Sequence, residues 1–116
     1  MKKILLISTI AAVVSAMPTQ VSANEGMALR ICEYVAANDK NRLRAYLKKS
    51  NLKVRKIFKD IGCNGDNLLV FAARSKALDV GDFLIGKTSS KTVQANIDAI
   101  AAHSAHMAEQ AKKRIK

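Results

Sequence analysis

Residues 63–74 read CNGDNLLVFAAR and combine a turn, a helix cap and a helix with almost no polar face. Asn64-Gly65 is a turn pair, and the side chain of Asp66 or Asn67 can accept hydrogen bonds from the free N–H groups that begin a helix. The six residues that follow are all apolar, and a helix that is apolar on every side is buried on most sides. This stretch therefore predicts a helix that is buried on most sides.

The rest of the chain shows the same helical periodicity and no alternating run typical of a strand. Apolar residues recur at intervals of three and four, and Asn, Asp or Gly stands where helices begin and end. Asp39 and Asp79 are expected to cap two of the helices. Gly81 lies inside the last one, where close packing against another helix is a physical reason for a glycine. The predicted helices cover residues 26–38, 40–49, 52–61, 67–75 and 79–85.

The C-terminal part carries a long amphipathic pattern after a polar linker, residues 87–91. A narrow apolar seam at spacings of three and four is typical of a helix that packs along one partner. We therefore predict one long amphipathic helix over residues 92–116, which either lies on the domain formed by residues 24–86 or binds a partner. The seam consists of Val93, Ile97, Ile100, Ser104, Met107 and Ala111.

The N-terminal residues have the pattern of an export signal. Two lysines precede an apolar stretch, residues 4–16, and the small-residue site VSA follows at residues 21–23. A helix of that length is roughly 20 Å long, against roughly 30 Å of hydrocarbon, so it is too short to span a bilayer comfortably. We expect a secretory signal peptide over residues 1–23, cleaved after Ala23, and a periplasmic or secreted mature protein. An uncleaved membrane anchor is the alternative.

The chain has two cysteines, Cys32 and Cys63. In an exported protein two cysteines predict one disulfide. Closing this loop is expected to stabilise the fold by roughly 3–4 kcal/mol in the chain-entropy model, which is a large share of the stability of a small domain. Two free thiols or a metal-binding pair are the alternative, although two ligands cannot complete a tetrahedral zinc site.

Residues 64–85 read NGDNLLVFAARSKALDVGDFLI, and this pattern resembles one ankyrin repeat. Lys76 stands where that family has a glycine between its two helices. Residues 32–47, CEYVAANDKNRLRAYL, resemble a second and weaker copy. The resemblance of residues 64–85 is carried by the turn residues and by apolar positions of both helices. These residues are Asn64, Gly65, Leu69, Ala72, Ala73, Leu78, Val80, Phe83 and Leu84.

The ankyrin resemblance implies helical hairpins that stack on one another. Two units are fewer than the three or so that such arrays need, and a disulfide would supply the missing stability. We therefore predict an all-α fold of ankyrin-like stacked helical hairpins, stapled by one disulfide and followed by the long C-terminal helix. An unrelated small helical bundle is the alternative.

A second resemblance involves the segments around the two cysteines. CEYVAAND at residues 32–39 and IGCNGDNLL at residues 61–69 are together similar to a family of short exported bacterial proteins of unknown function. This resemblance implies a periplasmic location and two linked cysteines. It implies no activity.

The positive charge of the chain, formally +11, is concentrated in residues 40–59, which contain nine Lys or Arg residues and no acid. These cations alternate with apolar residues at helical spacing, so we expect them on the outward faces of amphipathic helices. We predict that they meet an acidic protein or an anionic membrane surface; a merely solvated surface is the alternative. The predicted anion-binding face consists of Lys40, Arg42, Arg44, Lys48, Lys49, Lys53, Arg55, Lys56 and Lys59.

Nucleic acid is not an expected partner, because an exported protein meets little of it and the basic run lacks the aromatic platforms that bind single strands. The sequence contains no nucleophile elbow, no phosphate-binding glycine loop and no zinc-protease motif. We therefore expect no enzymatic activity and no cofactor. His103 and His106 are a weak candidate metal pair, and exposed histidines are the alternative.

Together these patterns predict a non-catalytic binding or adaptor module with a basic helical face. The alternative is a structural protein that self-associates through its C-terminal helix.

Overall fold

The structure, a computed structural model, describes residues 23–116 and the side chains of residues 26–116. The predicted signal peptide lies outside the described residues except for its last residue. The described part contains seven α-helices and no β-strand, which confirms the predicted all-α class. None of these helices is long and apolar enough to cross a bilayer. The helices are α1 (Ala23–Ala36), α2 (Lys40–Lys49), α3 (Val54–Ile57), α4 (Leu68–Arg74), α5 (Leu78–Lys87), α6 (Ser90–Ala101) and α7 (Ala105–Ile115), with a 3₁₀ turn at Phe58–Asp60.

Six of the helices form three hairpins, α1–α2, α4–α5 and α6–α7. The first helices of the hairpins pack on one another in the order α1, α4, α6, and the second helices pack in the order α2, α5, α7. The α4–α5 hairpin therefore lies in the middle of a stack. This position explains the absence of a polar face on residues 68–73, all of which are buried.

The connections inside the hairpins have a common length. Residues 37–39, 75–77 and 102–104 join the two helices of each pair. Asn38 and Lys76 occupy the same place in the first two connections, and both have left-handed backbones, with φ of 54° and 57°. In each case the helix ends with hydrogen bonds from this residue and the next one to carbonyls of the last turn, which is the Schellman pattern of helix termination. Lys76 thus adopts the conformation for which glycine is usual at this position.

The structure corrects the prediction of one long helix over residues 92–116. α6 ends at Ala101, and the hydroxyl of Ser104 accepts a hydrogen bond from the N–H of Met107 at 3.1 Å and caps a new helix, α7. Serine is favoured as a helix cap and disfavoured in a buried helix interior. The chain therefore turns at Ser104, the one residue of the seam that carries a hydroxyl group. The predicted linker, residues 87–91, shortens to residues 88–89.

The seam side chains face the rest of the molecule. Val93, Ile100, Met107 and Ala111 are all fully buried, and they belong to the same core as the apolar residues of α1, α2, α4 and α5. Residues 24–86 and the C-terminal hairpin consequently share one core.

Two smaller expectations also differ from the structure. The helix predicted over residues 52–61 is reduced to α3 and the 3₁₀ turn that follows it. Asp79 does not cap α5, because that helix begins after Ala77. The amide oxygen of Asn38, from the preceding hairpin, instead accepts a hydrogen bond from the N–H of Val80 at 3.0 Å. A residue of the neighbouring hairpin therefore accepts a hydrogen bond from the first turn of α5.

The two cysteines form a disulfide between α1 and the segment that precedes α4, with a Cα–Cα distance of 5.7 Å. Because α1 packs on α4, the stacking brings Cys32 and Cys63 together, and the predicted pair is confirmed. The expected reason for Gly81 is confirmed as well. A Cβ atom at this position of α5 would lie 2.5 Å from the Sδ atom of Met107 in α7.

Candidate anion-binding groove

All nine cations of the predicted anion-binding face are exposed. They lie on α2, on α3 and in the segments that flank α3. The apolar residues between them, Leu43, Leu47, Val54 and Ile57, are buried. The amphipathic arrangement that the sequence predicts is therefore present.

Four of these cations, Arg44, Lys48, Lys53 and Arg55, line a groove between α2, α3 and the C-terminal end of α5. Lys87 of α5 contributes a fifth cation to the lining. No Asp or Glu is found among the described residues that line this groove. Its volume of about 680 Å³ lies within the range of ligand-binding clefts.

The floor of the groove is apolar. Leu47 and Val54, which are almost fully buried, form its base. Leu52 and Phe83 pack against the core but keep part of their surface exposed. Ala45, which is exposed, also lines the groove. The groove therefore joins a cationic rim to an accessible apolar floor.

Local sequence explains how these residues come together. Arg44 and Lys48 are four residues apart on α2, so they share one helix face. Asn51 then adopts a left-handed backbone with φ of 54°, and the N–H of Leu52 donates to the carbonyl of Leu47 at 2.8 Å. This third Schellman-type ending turns the chain, and Lys53, two residues further on, also lines the groove.

Most cations of the basic face have no carboxylate partner. Arg42 lies 3.5 Å from the carboxylate of Asp39, with both side chains partly exposed to solvent. The other eight make no ion pair within the part of the chain whose side chains are described. A cation without an internal partner keeps its charge available for a ligand.

The remaining five members of the predicted face do not line the groove. They are exposed on the same helices and their flanks, outside the lining of the groove. The structure thus divides the predicted face into a groove set and a peripheral set, Lys40, Arg42, Lys49, Lys56 and Lys59.

The weak metal candidate is not assembled into a ligand set. His103 lies in the connection between α6 and α7, where its carbonyl accepts a hydrogen bond from the amino group of Lys76. His106 lies in the first turn of α7, and its Nε2 atom is 3.1 Å from the carboxylate of Asp82. Among residues 26–116 no group of three or more His, Cys, Asp or Glu side chains could hold a metal ion.

Phe83 and Lys87 line the groove but do not belong to the predicted anion-binding face, which consists of cations of the basic run alone. Both belong to α5, far along the chain from the basic run, and only the packing of α5 on α2 and α3 brings them to the groove. The available signal was their spacing of four, which places an aromatic residue and a cation on one helix face.

Comparison with known proteins gives one match. The family described as "Protein of unknown function (DUF3718)" matches residues 31–95. The matched segment contains both cysteines, the basic run and the part of α5 that completes the groove, and it ends within α6. No curated protein and no solved structure matches the chain.

Proposed function

The chain belongs to the DUF3718 family, and we propose that this protein is a non-catalytic binding or adaptor module whose basic face receives an acidic region of another protein. The observation that carries this proposal is the groove, which combines an apolar lining with five cations that pair with no carboxylate among the described side chains. Like charges held together repel one another, so a ligand that brings carboxylates into the groove gains favourable electrostatic energy.

The shape of the site supports a protein partner over a membrane. A bilayer presents a broad surface and would meet the outermost cations, each of which contributes about 1 kcal/mol near anionic lipid. The apolar floor lies inside a concave site instead, where a projecting segment of a protein can reach it. The anionic membrane is the second candidate, and the same experiment distinguishes it.

We also propose that the protein acts after export, in an oxidising compartment such as the periplasm. The support is the disulfide between Cys32 and Cys63, because such bonds persist in oxidising compartments and are rare in the cytosol. The signal-peptide pattern of residues 1–23 agrees with this location.

Self-association through the C-terminal helix remains an alternative with less support. The seam on which it depends, including Ile100 and Met107, is buried inside the fold, so the surface that suggested it is already covered by the chain itself.

The proposal is tested by titrating the protein with fluorescently labelled polyglutamate and, separately, with vesicles of phosphatidylcholine containing phosphatidylglycerol. We expect polyglutamate to bind at low salt and to dissociate at high salt, because the Debye length falls from about 10 Å at 0.1 M to about 3 Å at 1 M. Absence of polyglutamate binding at low salt contradicts the proposal. Tighter binding to the anionic vesicles than to polyglutamate assigns the face to a membrane.

A further inference from the structure

We propose that the groove between α2, α3 and α5 binds one short acidic peptide segment that carries a single apolar anchor side chain. This inference rests on the proposed function, since it names the ligand of the same face. It goes further because it assigns recognition to the groove set of cations and to the floor, and it leaves the peripheral cations with a minor role.

The rim points to a ligand with several negative charges. Arg44, Lys48, Lys53, Arg55 and Lys87 surround one cavity of about 680 Å³. A ligand with one charge would neutralise one of these cations and leave the rest opposed to each other. A peptide with alternating acidic residues offers several carboxylates along its length, and the two arginines can each hold a carboxylate through two parallel hydrogen bonds.

The floor points to an apolar group on the same ligand. Leu52 and Phe83 are part of the core on one side and line the groove on the other. Binding energy in protein interfaces concentrates where an aliphatic or aromatic side chain fills such a pocket, and the charges at the rim contribute mainly specificity and rate of association. A ligand that is only acidic would leave this floor in contact with water.

The dimensions of the site favour an extended segment. The lining includes Leu47 and Val54, which are almost fully buried, so a flat protein surface makes little contact with them. Acidic motifs bound by arginine clusters are commonly short segments that project from their parent protein. No acidic residue is among the described residues that line the groove, so residues 26–116 place no acidic segment in it.

Two double variants separate the groove from the general basic face. The first, Lys48→Glu with Arg55→Glu, reverses two cations that line the groove. The second, Lys49→Glu with Lys56→Glu, makes the same change of charge at the next position of the same two helices, outside the lining. All four side chains are exposed, so both variants are expected to fold, and circular dichroism with thermal unfolding checks this.

The probes are two labelled peptides that differ in one residue. Each alternates Glu with Ser over about ten residues, and one carries Phe at its centre where the other has Ser. Binding is measured by fluorescence anisotropy at low salt. This design varies the ligand to examine the floor and leaves Leu52 and Phe83, which also support the core, unchanged.

We expect wild-type protein to bind the Phe peptide about tenfold more tightly than the Ser peptide, as for one anchored aromatic side chain. The groove variant should bind the Phe peptide at least about tenfold more weakly than wild type, and the matched variant less than about threefold more weakly. Equal losses in both variants, or equal binding of both peptides by wild type, overturn the inference and leave the proposed function standing. Failure of wild type to bind either peptide overturns both.

Discussion

The cations of the basic run differ from three cations of the later part of the chain, Arg74, Lys76 and Arg114, in the partners that they have. In the later part, Arg74 donates a 2.7 Å hydrogen bond to Asp66, and Lys76 donates to the carbonyl of His103. Arg114 donates to the carbonyls of Ile85 and Thr88. In the basic run, by contrast, only Arg42 has a charged partner among the described side chains. Charged residues at the joints between elements hold the fold, whereas those of the basic run remain available for a ligand.

The two ends of the stack are also held differently. The C-terminal hairpin is joined to its neighbour by a two-residue connection, by the side chain of Arg114 and by a 2.8 Å hydrogen bond between Asn67 and Asn96. The N-terminal hairpin carries most of the basic face, and the disulfide links it covalently to the segment before α4. The basic face is thus held to the rest of the fold by a covalent bond, and this bond needs no ion pair.

Removal of the disulfide should produce the largest effect. We expect the variant Cys32→Ser with Cys63→Ser to lose about 3–4 kcal/mol of unfolding free energy, because the unfolded chain regains the entropy of a loop spanning 31 residues. Urea denaturation measures the total loss. Hydrogen exchange should show that α1 and α2 lose more protection than α6 and α7. Equal loss at both ends would contradict the proposed difference between them.

Two glycines of α5 give the next largest contrast, since one is enclosed and the other is open. A Cβ at position 81 would meet the buried side chain of Met107, whereas a Cβ at position 86 would have no atom within 4 Å. We expect Gly81→Ala to destabilise the protein by about 1–3 kcal/mol through overpacking. Gly86→Ala should stabilise it by up to about 1 kcal/mol through helix propensity. Thermal unfolding of the two variants measures both effects.

If Gly81→Ala were as stable as Gly86→Ala, Met107 would have another buried position available, and close packing would not be what holds α7 on α5.

The third prediction compares one substitution at the two kinds of site. Arg114→Met keeps the apolar stem of the side chain and removes its hydrogen bonds to the carbonyls of Ile85 and Thr88. We therefore expect the free energy of unfolding to fall by about 1–2 kcal/mol. Arg55→Met makes the same change in the basic run, where the side chain is exposed and makes no ion pair with any described side chain. It should change stability by less than about 0.5 kcal/mol. A similar cost for both, measured by urea denaturation, would remove the distinction between structural and available cations.

The features of the fold that sequence predicted correctly have local causes. Asp39 and Asn67 cap α2 and α4 with side-chain hydrogen bonds of 3.1 and 2.9 Å, and the bounds of α2 agree with its predicted range. The disulfide followed from the number of cysteines. In each case the deciding interaction involves residues close in sequence or a residue type with few chemical options.

The break between α6 and α7 was missed because the apolar spacing continues through it. Ile100, Ser104 and Met107 keep steps of four and three, and a turn of three residues returns the chain to the same face. Periodicity alone cannot separate one long helix from a hairpin whose two helices face the same neighbour. The predicted anion-binding face lacked Phe83 and Lys87 for a related reason, since these residues reach the groove only through the packing of α5 on α2 and α3.

The smallest expected effect is a dependence on pH that comes from the ion pair between Arg74 and Asp66. The hydrogen bond from Arg74 lowers the pKa of Asp66 below its ordinary value, and the nearby positive charge acts in the same direction. A carboxyl with a lowered folded-state pKa contributes stability above its unfolded pKa, which is about 3.9. That contribution is lost as the pH falls through the folded-state pKa, because the unfolded chain binds the proton first.

The variant Arg74→Gln removes the cause of this shift. Its deficit in unfolding free energy against wild type should therefore be constant between about pH 5 and 7 and shrink below about pH 4. The side chain of Arg74 is about half exposed to solvent, so screening keeps the deficit small, and it is best followed as a difference in denaturation midpoint. Lys53→Gln is the matched control, since Lys53 has no carboxylate partner among the described side chains and its substitution should leave the acid range unchanged. An equal acid response in both variants would mean that net charge, and no particular pair, sets the response to pH.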